Sequence, residues 1–198
     1  MNEYRNAAII PGQLETRDDT QNLTVSGYFS VFNSPYEFLP GMREFIDPHA
    51  FDETLNGDIR ALINHQTTLV LGRTAARTLS LRVDTHGLYG EIIINRNDTD
   101  ALNLYERVKR GDVSQCSFGF DILQENVTLT DDGADYTVKR VKLYEVSVCT
   151  FPAYAETNVQ ARDAFRARLE QAEALRKRRL DEQKDALRRI LHAANDKK

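Results

Sequence analysis

Apolar and polar positions alternate along Thr78-Leu79-Ser80-Leu81-Arg82-Val83, and an apolar run returns through Leu88-Tyr89-Gly90-Glu91-Ile92-Ile93-Ile94. Asp84-Thr85-His86-Gly87 separates the two, and a strand pattern on both sides of a Gly-containing turn predicts a β-hairpin. Aromatic and β-branched residues crowd Val25-Ser26-Gly27-Tyr28-Phe29-Ser30-Val31-Phe32, a further strand that the turn residues Asn33-Ser34-Pro35 end. Arg60-Ala61-Leu62-Ile63-Asn64-His65 reads as a buried strand stopping at the histidine, with a turn at Leu71-Gly72-Arg73. Val113 to Leu123 and Tyr136 to Cys149 read as two more strands around Thr130-Asp131-Asp132-Gly133.

Helical spacing appears elsewhere. Asp98 or Thr99 caps a helix with the apolar face Ala101, Leu102, Tyr105 and Val108, and Gly111 ends it after Lys109-Arg110. A short helical segment is expected to finish near Asn56-Gly57-Asp58, and residues 1–22 read as an extended arm or first strand. Phe151-Pro152-Ala153-Tyr154 closes the body. From Ala161 the chain holds no Gly or Pro, and Phe165, Leu169, Ala172, Leu187, Ile190 and Leu191 recur at helical spacing around Arg176-Lys177-Arg178-Arg179. That is a long helix with a thin apolar stripe, frayed when alone or the partner of a coiled coil. The expected fold is α+β, β-rich and barrel-like, with short helices and a long C-terminal helix. The expected division is a body at 1–160 and a basic helical tail at 161–198.

Charge sharpens that division. The net charge is −4, yet residues 161–198 hold 12 Lys and Arg against 7 Asp and Glu, leaving an acidic body. Such an asymmetry suggests a different partner for each part. The tail interleaves acids with its bases and has Phe165 as its lone aromatic residue, which reads against nucleic acid. No apolar run nears the ~20 residues that span a bilayer, and the N-terminus lacks a secretory layout, so a cytosolic protein without a membrane partner is expected. The two cysteines, Cys116 and Cys149, lie in apolar strand-like runs and read as buried thiols rather than a disulfide or a zinc site.

The chemistry concentrates in Gly111-Asp112-Val113-Ser114-Gln115-Cys116-Ser117-Phe118-Gly119-Phe120 and in Asn64-His65. A serine hydroxyl needs an adjacent base to act as a nucleophile, and His65 is the candidate. Ser114 and Ser117 lie three apart, so on a regular strand they face opposite sides, and one at most points at His65. Ser117 is preferred because Gly119 follows it, where a missing Cβ would let a substrate backbone approach.

Four ordered blocks carry a resemblance: Glu44-Phe45-Ile46-Asp47-Pro48-His49-Ala50-Phe51; Asn64-His65 with Leu71-Gly72-Arg73; the Gly111–Phe120 block; and Tyr144-Glu145-Val146-Ser147-Val148-Cys149-Thr150-Phe151-Pro152-Ala153-Tyr154. Over residues 20–160 the chain resembles the prohead maturation proteases of tailed bacteriophages, which are related in fold to the herpesvirus assemblins. The resemblance implies a serine endopeptidase that removes the scaffold segment from the major capsid protein precursor, and cleaves itself, inside the procapsid in the host cytoplasm. It implies Ser117 as nucleophile, His65 as base and Glu145 as the carboxylate that orients the imidazole, with Asp112, Asp121 and His49 as competitors for that third place. It implies no cofactor and no metal, and it allows a homo-oligomer, since assemblins dimerise. Backbone N–H groups near Ser117 or around Gly72-Arg73 are the candidates for the oxyanion.

Two other readings stand beside it. One is a cysteine peptidase using Cys116, opposed by the strand alternation that turns Cys116 away from the face of Ser117. The other is a non-enzymatic capsid-assembly module whose basic helix docks on an acidic partner. In the protease reading the tail serves packaging or dimerisation and is dispensable for peptide hydrolysis.

Overall fold

The computed structural model describes residues 5–6, 14–19, 22–151 and 159–195. Along them run β1 (Arg5–Asn6), β2 (Glu15–Asp18), β3 (Leu23–Val31), β4 (Tyr36–Leu39), β5 (Met42–Ile46), β6 (Arg60–Ile63), β7 (Gln66–Arg73), β8 (Leu79–Val83) and β9 (Gly87–Ile94). After helix α1 (Thr99–Arg110) come β10 (Gln115–Leu129), β11 (Ala134–Cys149) and helix α2 (Val159–Asn195).

The spine is the long antiparallel pair β10–β11, closed by the turn in which the Thr130 N–H donates to the Gly133 carbonyl at 3.1 Å. β11 carries two strands end to end on its other edge. β5 pairs parallel to its first part (Ala134↔Met42 to Val138↔Ile46), and β6 pairs parallel to its last part (Glu145↔Arg60 to Val148↔Ile63). β4 adds to β5, β7 adds to β6, and β1 lies on the outer edge of β10. A second sheet has the order β2-β3-β9-β8 and contains the predicted hairpin.

The core lies between the sheets and under α1. Phe118, Phe120, Val146 and Val148 of the first sheet share it with Val25, Phe29, Leu88 and Ile92 of the second, all without exposed surface. α1 presents Ala101, Leu104, Tyr105 and Val108 to this core. Asp98 caps its start by accepting from the Asp100 and Ala101 N–H groups, and Gly111 ends it at φ 88°, a left-handed value that glycine adopts freely.

Four expectations change. The sheets stay open, so the α+β, strand-rich class stands but the barrel does not close. Among the described residues no helix precedes Gly57. Residues 48–57 form successive turns, because their groups serve the gap between β5 and β6: the Ala50 carbonyl accepts from the Val141 N–H, and Thr54 Oγ1 accepts from the Leu143 N–H. Leu71-Gly72-Arg73 is the end of β7 rather than a turn. Finally, α2 is docked at its start. Arg168 is 4% exposed, paired with Glu44 at 2.8 Å and Glu125 at 2.6 Å, and lies over the rings of Phe38 and Tyr136. Of the predicted stripe, Ala172 is buried while Leu169 and Leu187 are exposed. The side chains of Phe165, Ile190 and Leu191, and the closing segment beyond Phe151, lie outside the described residues.

Candidate active site

His65 comes from the tip of the β6–β7 hairpin. Ile63 pairs with Gln66, so Asn64 and His65 form a two-residue connection, and both have positive φ (49° and 59°). Tight hairpins favour such values; Asn tolerates them well, and His is among the residues enriched there. The tip is fastened to the last turn of β11. The Asn64 N–H donates to the Val148 carbonyl at 3.1 Å, the Thr150 N–H donates to Asn64 Oδ1 at 2.9 Å, and the His65 N–H donates to Ser147 Oγ at 3.2 Å. At the base, Arg73 bonds Asp58 through Nε at 2.7 Å, and this guanidinium holds the Asp58 carboxyl below the usual carboxylate range. The imidazole is therefore presented by backbone anchored at both ends of a short hairpin.

Glu145 meets it from β11. His65 Nδ1 stands 2.6 Å from Glu145 Oε1, and the carboxylate is almost fully enclosed. Its other oxygen, Oε2, accepts from Ser147 Oγ at 2.6 Å. The bulge in β11 sets this face. Gly119 pairs with Glu145 but the next residue, Phe120, pairs with Leu143, leaving Tyr144 as the extra residue. The two-residue alternation switches there: Val141 and Leu143 face the core before it, Val146 and Val148 after it, which frees Glu145 and Ser147 to face His65.

Ser117 lies on the same face. It pairs directly with Ser147, and Gly119, two residues on, pairs with Glu145. A Cβ on Gly119 would stand 2.4 Å from Glu145 Oε1, so the close approach that demands glycine is made by the Glu145 carboxylate rather than by a substrate backbone. Ser117 has no exposed surface. Its Oγ and His65 Nε2 both lack a hydrogen-bond partner, two of the few buried side-chain polar atoms to do so among the described residues. Ser117 and His65 thus share a face with no hydrogen bond between them, an arrangement that a nucleophile and base can take in the absence of substrate.

The competitors lie elsewhere. Asp112 bonds Arg110 at 2.6 Å, Asp121 accepts from the Tyr144 hydroxyl, and the exposed His49 ring bonds Asp52 at 3.0 Å. Ser114 is exposed ahead of β10. Cys116 pairs with Val148 on the core face, fully buried, and burial pushes its thiol far above the usual range. The Arg73 N–H is spent on Thr78 Oγ1 at 2.9 Å, which removes it as an oxyanion donor. Ser147 is the participant that sequence reasoning passed over. Its signal was present, since it lies two residues from Glu145 on a strand and must share that residue's face.

A family model described as the caudovirus prohead serine protease matches residues 12–173. The prohead protease of Enterobacteria phage HK97 is 30% identical over 151 residues, a match covering 74% of this chain and 62% of that protein, under two thirds of its length. The solved structure of the bacteriophage T4 capsid assembly protease aligns with a TM-score of 0.49 at 13% identity, over 75% of this chain and 99% of that one.

Proposed function

The chain belongs to the caudovirus prohead serine protease family, and from that premise we propose that it is the serine endopeptidase that cleaves the scaffold segment from the major capsid protein precursor, and cleaves itself, during phage head maturation. Its place of action is the procapsid in the host cytoplasm. Its fold is of the assemblin type, and its body (1–160) carries the chemistry. The observation that carries this reading is the 2.6 Å contact of His65 with Glu145 on the sheet face that also bears Ser117.

The chemistry follows from the atoms. With Nδ1–H donated to Glu145, the neutral imidazole keeps Nε2 as its acceptor. Ser117 Oγ attacks the scissile carbonyl carbon while its proton passes to Nε2. The imidazolium so formed is stabilised by the buried Glu145 carboxylate, which Ser147 holds in place from its other side. The tetrahedral adduct collapses as Nε2 returns the proton to the leaving amine, leaving an ester on Ser117. Water, activated by the same nitrogen, then hydrolyses that ester and releases the second product.

The test is co-expression of the wild type or Ser117→Ala with the matching capsid precursor, read by intact mass. Trimming by the wild type alone supports the assignment and locates the cleavage site. Trimming by both removes Ser117 as the nucleophile. Trimming by neither, with both proteins folded and incorporated, favours the assembly-module reading.

A further inference from the structure

Among the described residues, the strand that bears Ser117 has one edge filled and one edge nearly free. β11 covers one side of β10 from Gln115 to Leu129. On the other side β1 pairs antiparallel through Arg5↔Phe120 and Asn6↔Gly119, and Gln115–Phe118 carry no strand there among the described residues. Such an edge presents main-chain N–H and C=O groups that an extended peptide can complete. Gly119 is two residues from Ser117, about 7 Å along the strand, and a neighbouring strand lies about 4.8 Å away. A peptide following the course of β1 therefore passes abreast of the nucleophile.

The edge is already in use. β1 holds its Gly119–Phe120 portion, and Ser117 beside it has no exposed surface. β1 precedes the residues that match the family, 12–173. A pairing of two residues would not hold a free dipeptide. Tethering changes that, because a short linker gives the segment an effective concentration on the order of millimolar.

We propose that the outer edge of β10 is the docking edge for an extended peptide, recognised through its main chain, and that β1 occupies it in cis, so that the chain's own N-terminal segment competes with that peptide. The inference rests on the reading of Ser117 as nucleophile. Competition in cis weakens binding of any external strand until β1 leaves.

The experiment uses the full chain with Ser117→Ala to prevent turnover, with and without Arg5→Pro plus Asn6→Pro, which removes two backbone donors and disfavours pairing. The probe is a fluorescein-labelled synthetic peptide with the sequence of residues 1–10, followed by anisotropy. The proline pair is expected to lower its Kd at least tenfold. Equal affinity for both proteins, or binding to neither, overturns the proposal. Asn6→Pro alone repeats the comparison should the pair melt early. Labelling of Ser117 by a fluorophosphonate, in the chain that keeps the serine and carries Arg5→Pro plus Asn6→Pro, read by intact mass, separates the two readings. Peptide binding as expected without labelling keeps the docking edge and removes the nucleophile; labelling without the Kd difference keeps the nucleophile and removes the docking edge.

Discussion

His65 Nδ1 and Glu145 Oε1 stand 2.6 Å apart although 80 residues separate them in the chain. The contact exists because β6 runs parallel to the end of β11 and delivers its hairpin tip over the bulged face. In the proposed mechanism the carboxylate has two tasks in that position: to hold the imidazole with Nδ1 protonated, and to stabilise the positive ring. Glu145→Gln keeps the shape and removes the charge. It is expected to lower kcat for capsid-precursor cleavage by about 10³- to 10⁴-fold while KM changes little, the pattern of an interaction made mainly in the transition state. Steady-state kinetics on the purified precursor checks it.

Ser147 joins the two partners, donating to Glu145 and accepting from the His65 N–H. Ser147→Ala removes both bonds from a site with no exposed surface. The expected outcome is a loss of about 10-fold or more in kcat, together with a stability loss of about 1–3 kcal/mol from the unsatisfied groups left behind. Denaturant unfolding measures the second effect and kinetics the first. Unchanged kcat with reduced stability would leave Ser147 a structural residue only.

Gly119 has no room for a Cβ, since Glu145 Oε1 would lie 2.4 Å from it. Gly119→Ala must therefore displace the carboxylate from His65 or shift the strand. It is expected to abolish most activity and to cost about 1–3 kcal/mol, as overpacking does. Smaller effects on both activity and melting temperature would mean that the Glu145 side chain has another rotamer available.

Much of this site was legible in the sequence, for identifiable reasons. Ser117 and Cys116 were separable because strand alternation sends neighbours to opposite faces, and the register confirms it: Cys116 faces Val148, and Ser117 faces Ser147. The caps of α1 were legible because Asp98 and Gly111 act through local backbone geometry. Ser147 was missed because its role depends on a hairpin tip arriving from a distant strand. The missing helix before Gly57 has the same origin: Ala50 and Thr54 bond N–H groups of β11 that no local pattern reveals. The bulge at Tyr144, which turns Glu145 out of the core, likewise depends on pairing with β10.

Both thiols are shielded. Burial, aided by the nearby Glu145 carboxylate, pushes the Cys149 thiol up to about 12, and burial pushes the Cys116 thiol higher still. Neither forms appreciable thiolate between pH 7 and 9, and the thiolate is the reactive form. Ellman's reagent is expected to titrate no thiol in the native protein at pH 8 and two after unfolding, one for each cysteine. Cys116→Ala should retain full peptidase activity; its loss in a folded protein would revive the cysteine-peptidase reading.

The start of α2 is fixed by a buried charge rather than by an apolar stripe. Arg168 lies between Glu44 and Glu125, and its carbonyl accepts from the buried Tyr136 hydroxyl at 2.8 Å. Replacing Arg168 with Met keeps the length and volume but leaves two carboxylates without their counter-charge, and breaking a buried pair in this way costs about 3–5 kcal/mol. Part of that cost is avoided if the helix undocks and water reaches Glu44 and Glu125. Arg168→Met is therefore expected to accelerate hydrogen exchange in α2 and at the β10–β11 hairpin tip, with little change at Ser117, Glu145 and Ser147, which lie at the opposite end of that hairpin. Glu44→Gln combined with Arg168→Met removes one stranded charge and should recover part of the stability. The same contact bears on the expected dispensability of the tail. A chain ending at Asn158 loses Arg168 and should melt lower than one ending at Leu180, which keeps it. If the two shortened chains and the full chain melt alike, the buried ion pair contributes nothing to the fold, and the helix is a free appendage after all.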